Sequence, residues 1–255
     1  MKNIKLNTLL YILILVFGFN CTKTSTSTTT SLPEINALNN KPVGASANDL
    51  LSANNYTSIN VEIQYMPGFQ PDAIAVNNLK SFITSLVNKP AGVTVTQTQI
   101  AASGKTTFTL NDIATFEKNN RSSFTNNNQL SVYFLYIDGK YSQNNVLGIA
   151  YRNTSLCIMG KTIQENSGGI GQVSRAKLES TVLEHEMAHI LGLVDIGSPM
   201  QTNHKDAANG NHCSNNSCLM YYASETTDVL GVLLTGNIPA LDANCKADLT
   251  ANGGK

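Results

Sequence analysis

The sequence has no excess of either charge. Seventeen Lys and Arg offset seventeen Asp and Glu over 255 residues, which leaves no basic footprint for nucleic acid. Charged residues make up only 13 % of the chain. Asn, Ser and Thr supply a wettable surface instead, as suits an extracellular protein. No repeat of about 20–50 residues is visible, which excludes solenoid and propeller arrays. Histidine is scarce: there are four, all between residues 185 and 212. The length allows one sizeable core or at most two small domains.

What is present begins at the N-terminus. Lys2 and Lys5 precede an apolar run of 11 residues from Leu9 to Phe19, broken only by Gly18. A bilayer span takes about 20 residues, so the pattern reads as the charged and apolar regions of an export signal. Cys21 follows, then a Ser/Thr tract. A cysteine placed there resembles a bacterial lipoprotein signal, with Asn20 and Gly18 departing from the usual residues. The resemblance implies an exported chain: a cell-surface or outer-membrane lipoprotein held by a lipid at Cys21, or a secreted protein. Residues 1–21 are thus expected to be a signal and lipid-attachment region and 22–58 a polar tether and lead-in. Residues 59–255 are expected to be one catalytic domain, with an upper part 59–192 and a lower part 193–255.

Ile59, Val61, Ile63 and Tyr65 alternate with polar residues, the period of a strand. Ile74, Leu79, Phe82, Ile83 and Leu86 fall at helical spacing between Asp72 and Asn88, and Pro90 closes the segment. Val93 and Val95 suggest another strand, and Leu110 to Asn119 a second helix. Leu130 to Ile137 is nearly all apolar, as in a central strand covered on both faces. Two short strands are expected at Leu147–Tyr151 and Ser155–Met159. A helix should then start near Arg175 with Ser174 as its cap and end near Gly192. The remainder is loop-like with a short apolar tail.

The chemistry is concentrated in His185-Glu186-Met187-Ala188-His189-Ile190-Leu191-Gly192-Leu193-Val194-Asp195. Residues four apart share one face of a helix, so His185 and His189 can point at one ion. Zinc takes such nitrogen ligands at about 2.0–2.1 Å. Glu186 is offset by one residue and can serve as general base rather than ligand. Gly192 permits a sharp turn, and Asp195 follows three residues later as the expected third ligand. His204 and His212 are the rival donors.

This segment resembles the extended zinc signature of the metzincins, HExxHxxGxxH/D. The Asp variant is found in the snapalysin-like bacterial peptidases. The resemblance implies an α+β fold: a twisted mixed sheet with an active-site helix, then a smaller loop-rich C-terminal subdomain containing a methionine turn. Met220, 25 residues after Asp195, fits that methionine. Tyr222 matches a tyrosine that approaches the zinc in some members. The implied activity is zinc-dependent endopeptidase, with a peptide or protein substrate lying extended along an edge strand. Two other readings are a surface-anchored binding or adhesion protein on a peptidase scaffold, and a metal hydrolase of a non-peptide amide. Loss of a ligand or of the base would mark the first, and Glu186 is present.

Apart from Cys21 there are four cysteines, an even number that permits two disulfides in an exported chain. Cys213–Cys218 is the easiest loop to close; Cys157 and Cys245 would make a second pair.

Overall fold

The structure is a computed structural model that describes residues 32–255; the expected signal region and Cys21 lie outside them. The elements run α1 (Ala47–Leu51), β1 (Ser58–Tyr65), α2 (Ala73–Leu86), β2 (Val93–Gln99), β3 (Thr107–Phe108), α3 (Leu110–Asn120), β4 (Gln129–Ile137) and β5 (Lys140–Tyr141). They continue with β6 (Gly148–Arg152), β7 (Ser155–Met159), α4 (Gly160–Glu165), α5 (Arg175–Ile190), α6 (Leu230–Thr235) and α7 (Ala243–Ala251). Three of the helices begin with a side-chain cap, one of them at the expected Ser174. Asp72 accepts the Ile74 N–H at 2.8 Å, Thr109 and Asp112 form a capping box, and Ser174 accepts the Lys177 N–H at 3.3 Å.

Five strands form one sheet in the order β2-β1-β4-β7-β6. The first four are parallel, and β6 runs antiparallel to β7 at the edge. Parallel neighbours need long crossovers, which α2 and α3 help to supply. The fold is therefore mixed α/β with a mostly parallel sheet, in which helices alternate with strands rather than following them as a block. β4 explains its own apolar run. Leu130, Val132, Phe134 and Tyr136 enter a core with Leu79 and Ile83 of α2 and Leu183 and Met187 of α5. The alternate residues Tyr133, Leu135 and Ile137 enter a second core with Phe108 and Ile113. Both faces are covered, so the polar alternation of a half-buried strand is absent.

The lead-in is part of this unit, which corrects the expected start at residue 59. Leu50 and Leu51 of α1 are fully buried in the larger core. Asn39 is buried too: its amide donates to the Ser131 carbonyl at 3.1 Å and the Thr154 hydroxyl at 2.9 Å, and its oxygen accepts the Thr125 N–H at 3.0 Å. Polar composition hid this segment because its polar groups are satisfied inside the protein rather than by water. Among the described residues no helix is long and apolar enough to cross a membrane.

On the second face of the sheet, Glu117 is fully buried between Arg121, at 2.8 Å, and Arg152. It also accepts from the Ser155 hydroxyl. Removing one partner of such a group leaves buried charge uncompensated. Glu117→Ala should therefore cost about 3–5 kcal/mol, read as a lowered urea midpoint at unchanged slope.

Candidate metal centre

Helix α5 carries the two signature histidines, and every residue from Leu178 to Ile190 is buried. The imidazoles thus face the interior, which no ordinary polar stripe would do. His185 Nε2 and His189 Nε2 lie 3.1 Å apart. His212 joins them, its ring 5.3 Å from that of His185 and nearly parallel to it. Glu225 completes the group: one ligand atom from each of the four lies within 4.8 Å of all the others.

The second nitrogen of each ring settles the tautomers. His185 Nδ1 is 2.7 Å from the Leu219 carbonyl, His189 Nδ1 is 3.0 Å from the Leu193 carbonyl, and His212 Nδ1 is 2.6 Å from the Asn209 carbonyl. A carbonyl oxygen only accepts, so each Nδ1 carries a proton, and in the neutral ring each Nε2 then presents a lone pair inward. Metal-binding histidines are held in this way. Three lone pairs turned on one point repel each other unless a cation lies between them. His212 Nε2 has no hydrogen-bond partner of its own. Zinc–nitrogen bonds of about 2.0–2.1 Å in a tetrahedron place donors roughly 3.3–3.5 Å apart, slightly wider than the 3.1 Å between His185 Nε2 and His189 Nε2. Burial, then the neighbouring His185 and His212, push His189 down to about 3, so it stays neutral.

Glu186 lies beside the group without joining it. Its Oε2 accepts the Ala150 N–H of β6 at 2.6 Å, and its Oε1 is buried without a partner. Gly148 makes room for it: a Cβ there would meet Glu186 Cγ at 2.9 Å and Val182 Cγ1 at 2.6 Å. Burial first, then the charge of Glu225, raise the Glu186 carboxyl well above its ordinary range, against the Ala150 N–H. A cleft of about 190 Å3 is lined by Glu186, His189, His212 and Glu225 together with Ile149 and Ala150 of β6.

Asp195 is not in this group. Gly192 does turn the chain, with φ +90°, and a Cβ there would meet Ser198 N at 2.4 Å. The turn sends the Leu193 carbonyl to His189 and Asp195 outward. The Asp195 side chain is 47 % exposed and pairs with Lys205 at 3.3 Å. The sequence had His212 as a rival donor, and it is the one brought to the pair. Tyr222 does not line the cleft; its ring packs on Tyr221, with centroids 4.6 Å apart. Met220 is fully buried in the larger core, and its carbonyl accepts the Cys213 N–H at 2.7 Å. Glu225 was not anticipated, because nothing in the local sequence ties it to the histidines.

A second group lies next door. His204, Cys213, Asp242 and Cys245 bring their ligand atoms together, with Cys218 Sγ 3.6 Å from Cys245 Sγ. The four described cysteines are unbonded, which corrects the expected Cys213–Cys218 disulfide. Cys157 and Cys245 cannot pair either, since they belong to cores on opposite faces of the sheet. His204 Nε2 lies 2.7 Å from Asp248, and its Nδ1 faces Cys213 Sγ at 3.3 Å. Cys218 Sγ accepts N–H bonds from Met220 and Asp242, both at 3.4 Å. Hydrogen bonding from Cys245, and these two N–H groups, bring the Cys218 thiol down to about 7 despite burial. His212 and Cys213 are consecutive, yet they serve opposite groups.

No family model matches the sequence, and no curated protein matches it. Solved structures do. Archaemetzincin from Methanopyrus kandleri is similar with a TM-score of 0.51 at 12 % identity, over 77 % of this chain and 96 % of that one. Metalloproteinase-II from Bacteroides fragilis aligns with a TM-score of 0.42 at 12 % identity, over 85 % of this chain and 58 % of that one. At such identity the first likeness speaks for architecture alone: the chain has a mixed α/β fold similar to that of archaemetzincin, with a buried His/Glu group at the position its sequence motif marks.

Proposed function

We propose that the protein is a zinc-dependent endopeptidase in which His185, His189 and His212 hold the ion and Glu186 is the general base. The observation that carries this is the set of three buried imidazoles, each locked through Nδ1 to a backbone carbonyl and each turning Nε2 to one point beside Glu186. Zinc bound there would polarise the scissile carbonyl and lower the pKa of a water towards ~7. Glu186 anchors one oxygen on Ala150 and keeps Oε1 for proton transfer, from the attacking water and then to the leaving amine. Strand β6 is the outer strand and lines the cleft through Ile149 and Ala150, so an extended peptide can add beside it.

The same reading gives the second group a supporting role. Cys213, Cys218 and Cys245 beside a histidine held by a carboxylate suit a structural zinc ion, since thiolates favour that metal. Export, with tethering through Cys21, is retained as part of the proposal on the charged start, the 11-residue apolar run and the Ser/Thr tract.

Metal analysis combined with digestion of a peptide library tests the whole. Two zinc ions per chain are expected, falling to one in Cys245→Ser. Internal peptide bonds should be cut, and cleavage should stop when a chelator strips the ion. A metal-free protein that cuts no peptide would sink the reading. Cleavage of only non-peptide amides would move it to the other hydrolase class.

A further inference from the structure

The carboxylate of Glu225 has no assigned part in the scheme above. Its Oε2 lies 3.7 Å from His185 Nε2, 3.9 Å from His189 Nε2 and 3.5 Å from His212 Nε2. These are poor hydrogen bonds, because a good N–H···O contact is about 2.7–3.2 Å. They are near the spacing of roughly 3.3–3.5 Å expected between atoms that share one tetrahedral zinc ion. The Nδ1 contacts agree with this, since in neutral rings held that way Nε2 presents a lone pair and has no proton to give Glu225.

We propose that Glu225 is a fourth protein ligand of the catalytic ion, so that the resting centre is closed to solvent and opens only when Glu225 withdraws. This rests on the zinc reading of the three histidines and goes beyond it. A catalytic zinc site keeps three protein ligands and one open position, whereas four protein ligands make a closed site. In this protein the carboxylate fills that open position.

The backbone shows what would move it. Glu225 ends a single turn of 3-10 helix, Tyr222–Glu225. Its carbonyl accepts the Leu147 N–H at 2.8 Å, Thr226 bridges to Val146, and the Thr227 N–H donates to the Asn145 carbonyl at 2.9 Å. The segment is thus strapped to the residues just before β6, the strand along which an extended substrate would add. A peptide pairing with the chain from Leu147 onward competes for the bonds that hold the strap. Occupying the groove and freeing the ion are then one event.

The test is to measure zinc affinity by chelator competition in the wild type, Glu225→Ala, Glu225→Gln and His189→Ala. Each protein is also loaded with cobalt(II) and titrated with acetohydroxamate while its visible absorption is followed. Glu225→Ala and Glu225→Gln should each lose at least about tenfold in zinc affinity. Both should alter the cobalt spectrum and bind the hydroxamate at least about tenfold more tightly than the wild type, because the fourth position is no longer contested. The inference is overturned if His189→Ala loses zinc while both Glu225 variants match the wild type in zinc and hydroxamate affinity. If His189→Ala also keeps its zinc, the metal reading itself falls, and this inference with it.

Discussion

Replacing Glu186 by Gln should lower the turnover of a peptide substrate by about 10²–10⁴-fold while leaving zinc content and fold in place. Gln keeps the shape and an oxygen for the Ala150 N–H, which Glu186 accepts at 2.6 Å. What it removes is the second oxygen, which is buried and has no partner to satisfy it in the protein. Gln puts a similarly unpartnered amide nitrogen in its place, so the exchange should leave the fold intact. Zinc binding is spared because Glu186 is absent from the group of converging ligand atoms. The measurement is steady-state cleavage of a quenched peptide, with zinc determined on the same samples. Turnover within a few-fold of the wild type would remove Glu186 from the chemistry.

A second large effect separates the candidate third ligands. His212→Ala should weaken zinc binding at the centre by at least about 10²-fold, more than the loss of an outer partner costs, and abolish cleavage. Asp195→Ala should leave zinc in place. Its carboxylate is half exposed and meets only Lys205, a surface pair worth about 0–1 kcal/mol. His204→Ala should instead disturb the cysteine group, because its Nδ1 faces Cys213 and its Nε2 is held by Asp248. Competition with a zinc chelator on the three single variants decides the matter. An empty centre in Asp195→Ala beside a full one in His212→Ala would reverse the assignment.

The parts of the fold that were legible are those governed by local chemistry. Ser174 was readable as a helix cap because it can satisfy a free N–H within three residues, and it does. The near-continuous run Leu130–Ile137 announced a strand covered twice, and it is one. His185, Glu186 and His189 were readable because helical spacing alone fixes their relation. The third donor depended on what a loop does after Gly192. The short return after Gly192 favoured Asp195 over His204 and His212, but closure entropy grows only slowly with loop length, so the longer loop to His212 costs little more. Counting cysteines could not tell a disulfide from a metal group, for both require the same residues close together. Glu225 was invisible because its place follows from the pairing of residues 226 and 146, a contact between distant parts of the chain.

The adjacency of His212 and Cys213 has an energetic consequence. One peptide unit joins a residue of each group, so whatever immobilises Cys213 also pre-orders the backbone from which His212 projects. The entropy of ordering that dipeptide need then be met only once. With ions in both groups, as proposed, thermodynamic linkage would make the benefit mutual: an ion on one side would strengthen binding on the other by the same factor in both directions. Oxidation of the thiols would therefore be felt at the imidazoles, and an oxidant that never enters the cleft could still silence it.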